Sequence, residues 1–151
     1  MSSLGIYLHI PYCLHKCGYC DFNSHPENTE EAQAYISALL LEVDHYAHRF
    51  SGRTFSTVFF GGGTPTILPP ESLDNILGKM KNLFNLSSGC EITIEANPAT
   101  IKQETLTQIR SAGFNRISIG VQSFDADELK FLERVHNEKE IYTTIDRARL
   151  A

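Results

Sequence analysis

The hydrophobic and polar positions of this chain change period repeatedly along its length. Leu4 to Ile10 is a short, mostly apolar run, and Pro11 ends its sheet hydrogen bonding, so a strand is predicted there. Asn28-Thr29-Glu30-Glu31 carries helix-start chemistry, a capping side chain followed by acids in the first turn. Behind it Ile36, Leu39, Leu40, Val43, Ala47 and Phe50 recur at three- and four-residue intervals, one face of a helix. Thr57-Val58-Phe59-Phe60 reads as a buried strand that runs into Gly61-Gly62-Gly63. Pro70 opens a second helix carrying Leu73, Ile76, Leu77, Met80, Leu83 and Phe84. Ile92-Thr93-Ile94 is a third strand, closed by the turn Asn97-Pro98. Thr100 with Gln103 resembles a capping box, Leu106 and Ile109 form an apolar stripe, and Gly113 is a helix stop. Ile117-Ser118-Ile119 is a fourth strand. Asp125 with Glu128 begins a helix through Leu129 and Leu132, and a last helix is predicted over Glu138 to Leu150.

Strands that alternate with helices predict an α/β fold with a parallel sheet and right-handed crossovers. Four βα units make half of an eight-fold barrel or two-thirds of a six-fold one. The chain is thus a small open α/β domain or the front part of a longer barrel, with no linker dividing it. In such folds the strand-to-helix loops gather at the carboxyl ends of the strands, where ligands bind. Here strand one leads into a loop with Cys13, Cys17 and Cys20, and strand two into Gly61-Gly62-Gly63-Thr64-Pro65. Strand three ends in Glu95 and strand four in Gly120-Val121-Gln122-Ser123. One site on one rim is the economical reading.

Composition narrows the chemistry. The 151 residues suit one domain with a real core, and 13 basic against 18 acidic residues give a net charge of −5 without a basic run, which argues against a nucleic-acid partner. The start, MSSLGIYLHI, lacks a basic residue ahead of its apolar run, so a secretory signal is not expected, and no stretch approaches the ~20 apolar residues of a membrane span. A cytoplasmic setting keeps thiols reduced, so clustered cysteines point to metal rather than to disulfides.

The spacing C-x3-C-x2-C brings three thiols into one short loop. Three readings remain open on spacing alone: an iron–sulfur cluster with one iron free of protein, a zinc ion completed by a fourth ligand, or free thiols that happen to be close. Cys90, His9, His15 and His25 are the available fourth ligands. The glycine run admits a ligand to the backbone or is a plain tight turn; it meets neither the dinucleotide nor the P-loop pattern. Glu95 and Gln122 suit hydroxyls or an ammonium, or serve as satisfied structural polar groups. Arg116 and Arg134 could pair with a ligand carboxylate or form surface ion pairs.

The segment YLHIPYCLHKCGYCDFNSH resembles the cluster segment of radical S-adenosylmethionine (SAM) enzymes of the oxygen-independent coproporphyrinogen III oxidase group. FFGGGTPTIL, EITIEANP and RISIGVQSF match further blocks of that group in its order, and the resemblance covers nearly the whole chain. The oxidase proper is expected to carry a further cysteine where this chain has Phe22, and the CDFNSH form is similar to the heme chaperone HemW branch.

The resemblance implies a partial parallel (βα) barrel of the radical SAM type, residues 1–151 being the N-terminal portion of its core domain. It implies that Cys13, Cys17 and Cys20 ligate a [4Fe–4S] cluster whose fourth iron is chelated by SAM. Tyr7 and Tyr19 would line the SAM pocket, and Gly62, Gly63 and Thr64 would present backbone groups to the methionyl ammonium. Glu95 and Gln122 would bind polar parts of SAM, and Arg134 its carboxylate. The family chemistry is reductive cleavage of SAM. In one branch it leads to porphyrinogen decarboxylation; in the other, the main task is binding heme and passing it to acceptor proteins. An electron donor is implied in either. Three features depart from the pattern: four βα units stand where about six are expected, the carboxyl-terminal domain is missing, and HNEKEIY at His136 replaces the HNxxYW segment of the chaperone branch. The last strand is expected to expose an unpaired edge.

Overall fold

The computed structural model describes residues 4–151. Strand β1 (Leu4–Ile10) leads into the cysteine loop, whose base is closed by two short paired segments, β2 (Tyr12–Cys13) and β3 (His25–Pro26). Helix α1 (Thr29–Arg49) follows, then β4 (Thr54–Gly62), α2 (Pro70–Leu83), β5 (Asn85–Ala96), α3 (Gln103–Ala112), β6 (Arg116–Ile119), α4 (Ala126–Phe131) and α5 (Glu138–Leu150). The main sheet is parallel throughout, in the order β1-β4-β5-β6, so each strand pairs with the next long one in sequence. This is the α/β, four-unit partial barrel expected.

Period-two alternation assigns the two faces. Leu8, Ile10, Val58, Phe60, Ile92 and Ile94 are buried and form one core with Leu73, Ile76, Leu77 and Met80 of α2 and Leu106 and Ile109 of α3. Tyr7, His9, Phe59 and Glu95, one residue out of phase, belong to the opposite face, where Tyr7 stacks on Phe59 at 6.0 Å. β6 ends the sheet with a neighbour on one side only, and its Ile117 and Ile119 stay half-buried.

Local chemistry sets the boundaries. Asn28 caps α1 by accepting from the Glu30 and Glu31 amides at 3.1 and 3.2 Å, and Gly113, in the left-handed region at φ 111°, ends α3. Asn115 imitates a strand partner, accepting from Ile92 N at 2.8 Å and donating to Cys90 O at 2.9 Å, which sets where β6 begins.

Several expectations need correction. β5 starts at Asn85, not near Ile92, because Asn85 and Leu86 already pair with Thr54 and Phe55 before a shift of register. Gly61 and Gly62 complete β4 rather than follow it. The predicted capping box does not form: Thr100 Oγ1 donates to Asn97 O at 2.9 Å, and α3 begins after Lys102 without a side-chain cap. Phe84 and Leu132 are caps just beyond α2 and α4.

Candidate functional site

The cysteine loop is held at its base by backbone hydrogen bonds. His25 N donates to Pro11 O at 2.9 Å and Glu27 N to Cys13 O at 3.0 Å, while Tyr12 is buried edge-on against His25 and Tyr35. Inside the loop, Cys20 N donates to Cys17 O at 3.0 Å and Lys16 Nζ to Phe22 O at 3.1 Å, closing two turns. Cys13 and Cys17 are buried and Cys20 is partly exposed, all three as free thiols.

The glycines at the end of β4 make room for this loop. A Cβ on Gly63 would stand 2.4 Å from Tyr12 O and 2.9 Å from Cys13 Sγ, and one on Gly62 would stand 2.7 Å from the His9 ring. The N–H of Gly63 donates to Ile10 O at 2.8 Å, that of Thr64 to Tyr12 O at 2.7 Å, and that of Gly62 to Glu95 Oε2 at 3.2 Å. With its N–H groups engaged, this segment can offer a cationic ligand only carbonyl oxygens. The Thr64 hydroxyl donates to Cys13 Sγ at 3.8 Å.

Opposite the loop stands Arg134. Its Nη1 donates to Cys17 Sγ at 3.4 Å and to Tyr19 Oη at 3.3 Å, its Nη2 donates to Gly120 O at 2.9 Å, and its Nε is buried without a partner. Burial raises the Tyr19 phenol's pKa above its usual value, an effect that the Arg134 charge opposes. Gln122, exposed at the end of β6, has φ 67°, a left-handed backbone that costs a non-glycine residue on the order of 1 kcal/mol.

A cavity of about 520 Å³ opens among these groups. It is lined by Cys13, Cys17, Cys20, Tyr19, Gly62, Gly63 and Thr64, and also by Glu95, Gln122 and Arg134, so ten of the eleven residues singled out from sequence meet in one place. Tyr7 lines a separate cavity of about 420 Å³ along β1. It is linked to the glycine turn through His9: the Tyr7 hydroxyl lies 3.1 Å from His9 Nδ1, and Nε2 lies 2.8 Å from Asn23 O. Since a carbonyl only accepts, Nε2 carries the proton and Tyr7 donates to Nδ1.

Three of the proposed fourth ligands, Cys90, His9 and His25, are engaged elsewhere, whereas His15 lines the thiol cavity beside Glu133. Cys90 is six residues before the end of β5, roughly 20 Å from the rim, and burial raises its thiol's pKa. His15 faces Glu133 at 3.9 Å and His25 faces Glu31 at 3.4 Å. Among the described residues no group of three or more His, Cys, Asp and Glu side chains is disposed to hold a single metal ion. The zinc reading therefore finds no site, whereas a cluster takes its thiolates on separate irons. Arg116 forms the surface pair anticipated, 3.6 Å from Glu91.

Burial raises the half-buried Glu95 carboxyl's pKa above its ordinary 4.5, and the Gly62 N–H opposes this only partly. Where the folded chain holds this proton and the unfolded chain has lost it, stability falls as pH rises. Glu95→Gln keeps an acceptor for Gly62 and removes the titration. The variant is expected to be more stable than the parent at neutral pH, the difference closing below about pH 4.5, as urea midpoints at pH 7 and pH 4 will show.

Two residues at the site were missed from sequence. His136 is buried: Nε2 lies 3.0 Å from Val121 O and Nδ1 3.3 Å from the Asn97 carboxamide, so it bridges the loops after β5 and β6. Burial lowers its pKa, which keeps the bridge neutral. Glu133 accepts from Gly18 N at 2.9 Å. Helix-end spacing says nothing about partners more than a hundred residues away.

A profile of the radical SAM superfamily matches residues 7–151. The chain belongs to this superfamily. Radical SAM membership implies a [4Fe–4S] cluster and SAM, and the residues present fit them: three reduced thiols in one loop, a glycine turn without Cβ atoms, and an arginine with an unpartnered buried nitrogen. Within the superfamily the chain is similar to the heme chaperone HemW of Escherichia coli, 42% identical over 141 residues, covering 93% of this chain and 37% of that protein. HemW of Haemophilus influenzae is 39% identical over all of this chain and 41% of its own length. Among solved structures, coproporphyrinogen III oxidase (HemN) from E. coli, described as a radical SAM enzyme, superposes with a TM-score of 0.90 at 34% identity, over 97% of this chain and 34% of that one. The chain thus spans about two-fifths of the curated relatives it matches. Among the described residues no helix is long and apolar enough to cross a membrane.

Proposed function

We propose that this chain is the N-terminal portion of a radical SAM core domain, in a cytoplasmic protein that binds heme and passes it to acceptor proteins. Cys13, Cys17 and Cys20 would each hold one iron of the cluster, leaving the fourth iron to the amino and carboxylate groups of SAM. The observation that carries this is the convergence of the three free thiols, on the loop after β1, with the ends of the parallel strands β4, β5 and β6 on one cavity. When bound and reduced by an electron donor, cluster and SAM together supply one-electron cleavage of the sulfonium C–S bond.

The protein's own groups bind and orient. The Thr64 hydroxyl donates to Cys13 and the Arg134 guanidinium to Cys17, and these contacts would orient both sulfurs toward the cluster. Carbonyls of Gly62 and Gly63 would accept from the methionyl ammonium, and Arg134, with Nε unpartnered, would take the carboxylate. Glu95 and Gln122 would hold polar groups of SAM, and Tyr19 would shield the adenine side from water. Tyr7 would act from β1, through His9, on the glycine turn. In the Glu95→Gln variant, SAM affinity should fall about tenfold, the worth of one charge-assisted hydrogen bond.

Heme transfer is favoured over porphyrinogen oxidation by the HemW similarity and by Phe22, which stands where the oxidase pattern has a further cysteine. The full-length protein, reconstituted anaerobically with iron and sulfide, tests both. Titration with heme is expected to give a stoichiometric Soret shift, and incubation with coproporphyrinogen III and SAM no decarboxylation. Turnover of coproporphyrinogen without heme binding would make the oxidase reading correct instead.

A further inference from the structure

The cysteine loop is anchored at both sides, by Thr64 on Cys13 and by His9 on Asn23, but its centre projects away from the sheet. Among the described residues, the side-chain bonds that reach its middle come from two consecutive positions just past α4. Arg134 reaches Cys17 and Tyr19, and Glu133 reaches the residue between them, accepting from Gly18 N at 2.9 Å. The carboxylate lies flat on Gly18: a Cβ there would stand 3.1 Å from both carboxylate oxygens. The same carboxylate is 3.9 Å from Nε2 of His15, which precedes both turns of the loop.

Glu133 has φ 52°, left-handed backbone that glycine or asparagine adopts with little cost and glutamate does not. A side chain kept at such a position is explained by what it touches, here the amide at the loop's centre. We propose that Glu133 is a positioning residue: its carboxylate holds the Cys17-Gly18-Tyr19 segment in its ligand-ready shape before cofactor arrives. The tethering of the loop stands on geometry alone; its consequence for the cluster rests on the function proposed above.

The test uses three forms of the full-length protein: the parent, Glu133→Gly and Glu133→Gln. The first readout, free of cofactor, is amide hydrogen exchange at Gly18 by NMR. The second is the rate at which an iron chelator strips the reconstituted cluster. Glu133→Gly should lose about tenfold protection at Gly18 and release iron several-fold faster, although its urea midpoint is unchanged or raised by relief of the left-handed backbone. Glu133→Gln retains an acceptor oxygen and should behave like the parent in both. Parent-like exchange in Glu133→Gly would overturn the proposal. So would a Glu133→Gln variant as loose as Glu133→Gly, since the side-chain acceptor would then not be what holds the loop. Should even the parent take up no cluster, the function proposed above fails, and the Gly18 exchange still decides the tether.

Discussion

Full-length protein carrying Cys17→Ala is expected to emerge from anaerobic reconstitution without a stable [4Fe–4S] cluster and with SAM cleavage at background. Cys17 is buried in the middle of the loop, under the Arg134 guanidinium, and among the described residues no group of three or more His, Cys, Asp and Glu side chains offers another metal site. Changes that merely disturb the surroundings of a metal site cost 10- to 100-fold, so removal of a ligand should exceed about 100-fold in iron retention. Cys90→Ala is the control. Its thiol sits in the middle of β5, away from the rim, with Sγ directed to Glu91 O, so iron content should not change. Iron and sulfide counts with low-temperature electron paramagnetic resonance after reduction measure both. A Cys17→Ala protein that keeps its cluster and cleaves SAM would refute the three-thiol assignment.

Gly63→Ala should be among the most damaging single-methyl additions in the chain. The new Cβ would stand 2.4 and 2.8 Å from the Tyr12 carbonyl and 2.9 Å from Cys13 Sγ, and backbone held by the Thr64 N–H bond cannot swing aside. Separation of the β4 end from the cysteine loop should cost on the order of 3 kcal/mol and displace Cys13 together with the Thr64 hydroxyl. Gly78→Ala makes the contrast: that position lies inside α2 with nothing within 4 Å of the added carbon, so a gain of roughly 0.5–1 kcal/mol is expected. Urea unfolding followed by circular dichroism reads both. Equal stabilities for the two variants would show that the Gly63 approach is softer than the geometry indicates.

The parts of this molecule legible in the sequence are those governed by local pattern. The span Glu138–Leu150 of α5 is the one read from sequence, and the structure adds a capping box between Asn137 and Glu140. The four strand ends could be placed because a parallel sheet gathers its loops on one side, and ten site residues meet there as a result. The illegible parts depend on distant neighbours. Asn85 and Leu86 join β5 only because Thr54 and Phe55 offer edge groups to them, so no local alternation announces them. Thr100 had the right neighbour at the right spacing for a cap, yet its hydroxyl finds the Asn97 carbonyl first. His136 looked like an isolated histidine, although Asn97 and Val121 from two different loops converge on it. Tyr7, expected at the SAM pocket, lines a cavity along β1 and feels the charge of Glu95 at the thiol site.

The pairing of positions 17–19 with 133 and 134 also bears on how the protein is made. A ribosome must release nearly the whole of this stretch, and the four strands must find their order, before the thiol loop can take its final shape. Under the function proposed above, iron and sulfide would therefore meet a closed loop only once Arg134 has emerged, rather than the cysteine segment of a nascent peptide.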